Sequence, residues 1–195
     1  MKKLVPWIVV LGILAIIGLW IANVYNGFVA AQEEVESAWA QVENQYQRRS
    51  DLIPNLVATV KGYATHEQET LEGVVAARAK ATQVTVDPTN MTTEQLAAFQ
   101  SAQGELSQAL GRLLAVAESY PDLKANENFR DLQAQLEGTE NRITTARNLF
   151  NESARAYNTS IRRFPNNLIA GIFGFEKRPY FEAEPDAQKA PKVEF

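Results

Sequence analysis

The chain contains no cysteine and a single histidine, His66. The first absence removes disulfides, thiolate metal sites, thiol nucleophiles and a lipidated cysteine anchor together. The second removes most histidine-based metal sites and leaves any acid–base triad with one candidate. Positive charge is scarce beyond the first residues. With Lys2 and Lys3 set aside, 17 of the 19 basic residues remain against 23 acidic ones. Such a body does not bind polyanions through counterion release, so nucleic acid is not an expected partner. The sequence has no G-x-S-x-G elbow, no Walker-type loop and no strand-borne G-x-G-x-x-G. No segment alternates strongly enough to form strands, and no fixed-period repeat supports a solenoid.

What the chain does have begins with LVPWIVVLGILAIIGLWIA, Leu4 to Ala22, which carries no charge. Nineteen helical residues span roughly 28 Å, about the thickness of a bilayer's hydrocarbon core. Trp7 and Trp20 lie near its ends, where indole rings favour the headgroup interface. The run exceeds a signal-peptide core, and no small-residue cleavage site follows closely, so it reads as a retained single-pass anchor. Lys2 and Lys3 precede the run and no Lys or Arg follows until Arg48. The positive-inside rule then keeps the N-terminus cytoplasmic and places the body across the membrane.

After the anchor, apolar residues recur at spacings of three and four. One stripe runs through Phe28, Val35, Trp39, Val42 and Tyr46, and with only Asn23 and Gly27 between, this helix can continue out of the bilayer. A second is expected from Leu52 to about Val84, a third from the Thr92–Gln95 capping box to Pro121, and a fourth from about Lys124 to Phe164. Each stripe needs a partner, so the expected fold is all-α: a transmembrane helix followed by an elongated antiparallel up-down-up-down four-helix bundle. The expected divisions are an anchor at 1–23, the bundle at 24–164, an apolar segment at 165–180 and a mobile polar tail at 181–195.

The stretch RRSDLIPNL decides the lengths of the first two helices. Read as a corner, it makes all four helices comparable in length. Ser50 or Asp51 would cap the second helix, Pro54 would sit in its first turn, and Arg48 and Arg49 would suit the C-terminal dipole of the first. The expected interaction corner is therefore Arg48, Arg49, Asp51, Pro54 and Asn55, joined at the membrane-distal tip by Tyr120, Pro121 and Asn126. The opposite end holds FPNNLIAGIFGF, in which Phe164, Leu168, Ile169, Ile172, Phe173 and Phe175 are too few to span a bilayer. They either fold over the end of the bundle or lie in the lipid interface.

Chemistry-bearing groups are few. His66 and Glu69 would share a helix face, but a di-iron bundle needs two Glu-x-x-His motifs and further glutamates. They read as a solvated surface. Glu140 and Arg147 read as a register-fixing acid–arginine network, and Tyr63, Tyr120 and Tyr157 as packing groups with hydroxyls at the core edge. No catalytic, metal or cofactor residue is expected.

Three blocks, RRSDLIPNLVATVKGYATHE, YPDLKANENFRDLQAQLEGTENRI and FNESARAYNTSIRRFPNNLIAGIFGF, resemble the signature blocks of the LemA family. The resemblance implies a bacterial protein with one N-terminal membrane helix, an elongated four-helix body and no established enzymatic activity. It also implies an inner-membrane location, with members associated with membrane metalloproteases encoded nearby and relatives with magnetosome membrane formation. The expected function is a non-enzymatic, self-assembling membrane scaffold whose partners are the bilayer and further copies of the chain. The other expectation is an adaptor for a membrane metalloprotease or envelope-stress system.

Overall fold

A computed structural model describes residues 5–182; Leu4 and most of the expected tail, 183–195, lie outside the described residues. Six helices follow in order: α1 Val5–Lys61, α2 Gln68–Gln83, α3 Thr93–Glu118, α4 Pro121–Ala125, α5 Glu127–Arg162 and α6 Asn166–Phe173. The described residues contain no strand, as expected of an all-helical chain.

α1 is a single helix of 57 residues, roughly 85 Å long. Its first part carries the apolar run with nothing packed on it: Trp7, Leu11 and Leu19 are exposed. It is the one helix among the described residues long and apolar enough to cross a membrane. Asn23 and Gly27 do not interrupt it, and from Phe28 onward its stripe turns inward on Val35, Trp39, Val42 and Tyr46.

The expected corner at Arg48–Asn55 is not a corner. α1 runs straight through Arg48, Arg49, Asp51, Pro54 and Asn55 and ends thirteen residues after Arg48, at Lys61. The reason is non-local. A proline inside a helix leaves the carbonyl four residues earlier without its N–H donor. Here that carbonyl belongs to Ser50, and Arg78 of α2 donates its Nε–H to it at 2.9 Å. Pro54 itself faces outward, so its ring displaces no core side chain. The true reversal is Gly62–Glu67, closed by Tyr63 N–H to Val60 O (3.0 Å) and Ala64 N–H to Val60 O (2.9 Å).

Moving the turn shortens α2 to 16 residues, so the helices are not of matching length. α5 runs antiparallel to α1, setting Glu140 beside Arg49 and Phe150 beside Trp39. α3 runs antiparallel to α2, with Glu105 beside Lys80 and Tyr120 beside Glu67. α3 starts at the expected capping box: the Thr92 side chain accepts from Gln95 N–H, and Gln95 Oε1 accepts from Thr92 N–H. Below α2, Val86 and Met91 of the 84–92 loop fill the space that a longer helix would occupy.

The core is in two parts. One, aromatic-rich, contains Phe28, Trp39, Tyr46, Phe99, Phe150 and Tyr157. The other, mostly aliphatic, contains Ile53, Leu56, Val60, Leu71, Leu106 and Leu113. Between them lies a polar layer around Arg49.

Candidate membrane-proximal interface and the polar layer

Pro165 cannot continue α5, whose last helical residue is Arg162, and α6 starts immediately after it. α6 ends at Gly174, the only described residue with positive φ (75°), a conformation that glycine adopts without steric cost. That turn lets Phe175 N–H reach Ala170 O (3.0 Å) and sends the Phe175 ring against Tyr25 and Phe28, 5.5 and 5.1 Å between centroids. Phe173 meets Tyr25 as well, edge-on at 5.0 Å. Ile169 and Ala170 are buried, whereas Phe164, Leu168, Ile172 and Phe173 are 82, 56, 75 and 50 % exposed. α6 therefore does one of the two things expected of it with one face: it closes the end of the helical body. Its other face is apolar and bare of protein. Tyr25 lies three residues beyond Ala22, so α6 packs about one helical turn past the end of the apolar run.

The polar layer lies about 40 Å beyond Ala22 along α1. Arg49 is 1 % exposed, and its guanidinium is held from three directions. Nη1 donates to Glu140 Oε1 of α5 and to Ser107 Oγ of α3, both at 2.8 Å, and Nη2 donates to the Gln103 backbone and side-chain oxygens. Gln103 extends the network to α2 by donating to Ala81 O at 3.4 Å. Tyr46, one turn earlier, offers its ring face to the guanidinium at 5.0 Å. One arginine thus links every long helix of the body. Arg147, expected near Glu140, instead packs over Phe181 (4.8 Å) and donates to Glu182 O (3.1 Å). Asp51, also expected at the corner, accepts on the surface from Gln47 Nε2 (2.7 Å).

Of the expected corner set, only Tyr120, Pro121 and Asn126 lie at a helix reversal. Their partners come from the Gly62–Glu67 turn: the Tyr120 hydroxyl donates to Glu67 Oε1 (3.2 Å), and Asn126 Nδ2 donates to the Tyr63 hydroxyl (2.9 Å). Asn126 also caps α5 by accepting from Phe129 N–H at 2.9 Å. Partial burial and the bond to Glu67 push the Tyr120 phenol above its ordinary range. His66 is exposed in the turn, before α2 begins, so it shares no helix with Glu69. The described residues contain no cluster of three His, Asp or Glu side chains suited to a metal.

The strap that follows α6 was not expected. Asn151 and Asn158, seven residues apart on α5, each bind both the backbone N–H and the C=O of one strap residue. Asn158 Oδ1 accepts from Arg178 N–H and its Nδ2 donates to Arg178 O, both at 2.8 Å. Asn151 does the same with Phe181, at 2.9 and 3.1 Å. Phe181 is buried, stacked on Trp39 at 5.9 Å and edge-on to Phe150 at 5.5 Å. The division expected at 181, where a mobile tail was to begin, is thus corrected: Phe181 and Glu182 are docked. The detectable signal was an aromatic residue in an otherwise polar, proline-bearing tail.

The family model for the LemA family matches residues 38–195. Magnetosome protein MamQ 2 of Paramagnetospirillum magneticum is 30% identical over 83% of this chain and 65% of its own length. Magnetosome protein MamQ of Magnetospirillum gryphiswaldense is 29% identical with the same coverage. Protein LemA of Metamycoplasma hominis is 26% identical over 74% of this chain and 63% of its own. The chain spans slightly less than two thirds of the length of these relatives.

Proposed function

The chain belongs to the LemA family, and from that premise we propose that it is a membrane-anchored, non-enzymatic helical scaffold that self-assembles and organises or shapes the bilayer. The observation that carries this reading is the bare apolar face of α6 beside the end of the apolar run. Exposed Leu168 and Ile172 on a helix packed against Tyr25, with exposed Phe164 just before it, suit the acyl–headgroup boundary, where an amphipathic helix lies in the membrane plane. The span and α6 then form two attachments to one leaflet and hold the body upright. The N-terminus is cytoplasmic and the body extends outside the cytoplasm from the inner membrane. The adaptor reading loses Arg49 as a contact, since that side chain is buried, while Arg48, Asp51, Pro54 and Asn55 stay exposed along α1.

Because the chain has no cysteine, single cysteines at Leu168 and Ile172 can carry spin labels without background. In liposomes both labels are expected to be open to oxygen and shielded from an aqueous nickel reagent. Labels fully accessible to nickel would remove the lipid seat. Self-assembly is tested separately: detergent-purified protein that stays monomeric by mass measurement and leaves vesicle shape unchanged would remove the scaffold reading.

A further inference from the structure

The body buries two arginines and treats them differently. Arg49 is matched by Glu140 and three neutral acceptors. Arg178 is only 8 % exposed, yet no carboxylate lies within ion-pair distance of it among the described residues. Its guanidinium rests over the Tyr157 ring at 5.8 Å; Nε lacks an acceptor in both arginines, but only Arg178 also lacks a carboxylate partner among the described residues. The Tyr157 hydroxyl, in a side chain with no solvent exposure, also lacks a partner. Burying an uncompensated charge is costly, and natural sequences seldom retain one without a counter-ion.

Both residues line a cleft of about 610 Å³ between the strap and the start of α3. Lys177 lines the same cleft, as do Thr92, Thr93 and Glu94 at the α3 N-terminus, where the capping box takes up the Thr92 and Gln95 N–H groups, those of Thr93 and Glu94 have no intrahelical acceptor and the helix dipole is positive. Glu94 and Glu176 also line it, so the cleft is close to neutral overall and does not attract anions non-specifically. Gln32 places it ten residues beyond Ala22 on α1, roughly 15 Å past the apolar run.

We propose that this cleft binds a phosphate-type oxyanion, with Arg178 as the principal ligand, the Tyr157 hydroxyl as a second donor and Lys177 at the rim. The anion supplies the direct counter-charge that no described carboxylate gives Arg178, since Glu94 and Glu176 line the cleft without pairing with it. A lipid headgroup and a free phosphate share this chemistry. Neither the span nor self-assembly is needed for the site, so it stands or falls independently of the scaffold role.

The test uses the full chain in phosphatidylcholine nanodiscs, with thermal unfolding followed by circular dichroism. One arm adds inorganic phosphate, and a second replaces part of the lipid with phosphatidylglycerol. Saturation of the site is expected to raise the midpoint by roughly 5–10 °C. A rise with inorganic phosphate assigns a free anion, and a rise with phosphatidylglycerol alone assigns a headgroup. Arg178→Gln is expected to abolish the rise, and Tyr157→Phe to reduce it, with helicity unchanged. No rise in either arm, or the same rise in Arg178→Gln, overturns the proposal. Should Arg178→Gln fail to fold, exposed Lys177→Gln carries the test: a weakened response supports the site, and an undiminished one counts against it.

Discussion

Removing Glu140 separates the role of the polar layer from that of the apolar core. Glu140→Ala leaves the Arg49 guanidinium 1 % exposed with neutral acceptors only. Breaking a buried pair from one side typically costs 3–5 kcal/mol, but the Glu140 side chain is 47 % exposed and water can enter where it stood. The expected loss is therefore about 2–3 kcal/mol, or roughly 5–10 °C in midpoint. Arg49→Met removes the charge while retaining a long side chain, and Glu140, left near solvent, incurs little penalty. The double variant Arg49→Met/Glu140→Ala is then expected to be more stable than Glu140→Ala alone, because no buried charge remains uncompensated. Urea denaturation of the four proteins closes the cycle. If the double variant is as unstable as the sum of its parts, the layer contributes packing rather than charge pairing and the reasoning fails.

Further expectations rest on separate observations. Arg78→Ala should strand the Ser50 carbonyl and cost about 1–2 kcal/mol, and Pro54→Ala should restore much of it by returning the helical N–H; absence of rescue in denaturation curves would undo the account of the uninterrupted helix. Phe181→Ala should cost about 3 kcal/mol and admit protease to the strap, because it empties the site between Trp39 and Phe150; an unchanged digestion pattern would count against docking. Burial pushes the Tyr157 phenol above its ordinary value, with nearby Arg178 pulling it partly back. The unfolded chain therefore ionises first as pH rises past about 10, so wild-type stability should fall there more steeply than that of Tyr157→Phe. Parallel slopes in alkaline denaturation would contradict the burial.

The elements legible in the sequence were those built from local signals. The apolar run, the three-and-four stripes, the Thr92–Gln95 capping box and the Pro121 and Pro165 boundaries need only neighbouring residues to form. What misled was Pro54, whose local reading as a helix start is sound chemistry but incomplete. Its cost is offset by Arg78, twenty-four residues later, and no local window contains both. Gly62 stands at the true turn, whereas the corner at Arg48–Asn55 rested on a preference for helices of comparable length. That preference failed because the 84–92 loop and Phe181 fill the gap under α2. The Arg49–Glu140 pair and the Asn151 and Asn158 clamps join residues distant in sequence, so no periodicity announces them.

The uninterrupted α1 makes the molecule an axle. With no joint between Trp7 and Lys61, a rotation of the apolar N-terminal end is delivered along one helix to the Tyr63–Asn126 tip, about 58 Å beyond Ala22. Height and heading are coupled in the same rod. Each residue inserted just after Ala22 would lift the body by about 1.5 Å and swing it by about 100°, carrying α6 off the lipid seat proposed for it. Neighbouring copies standing in one membrane would present matching faces at matching heights, an alignment set by the count of residues in a single helix.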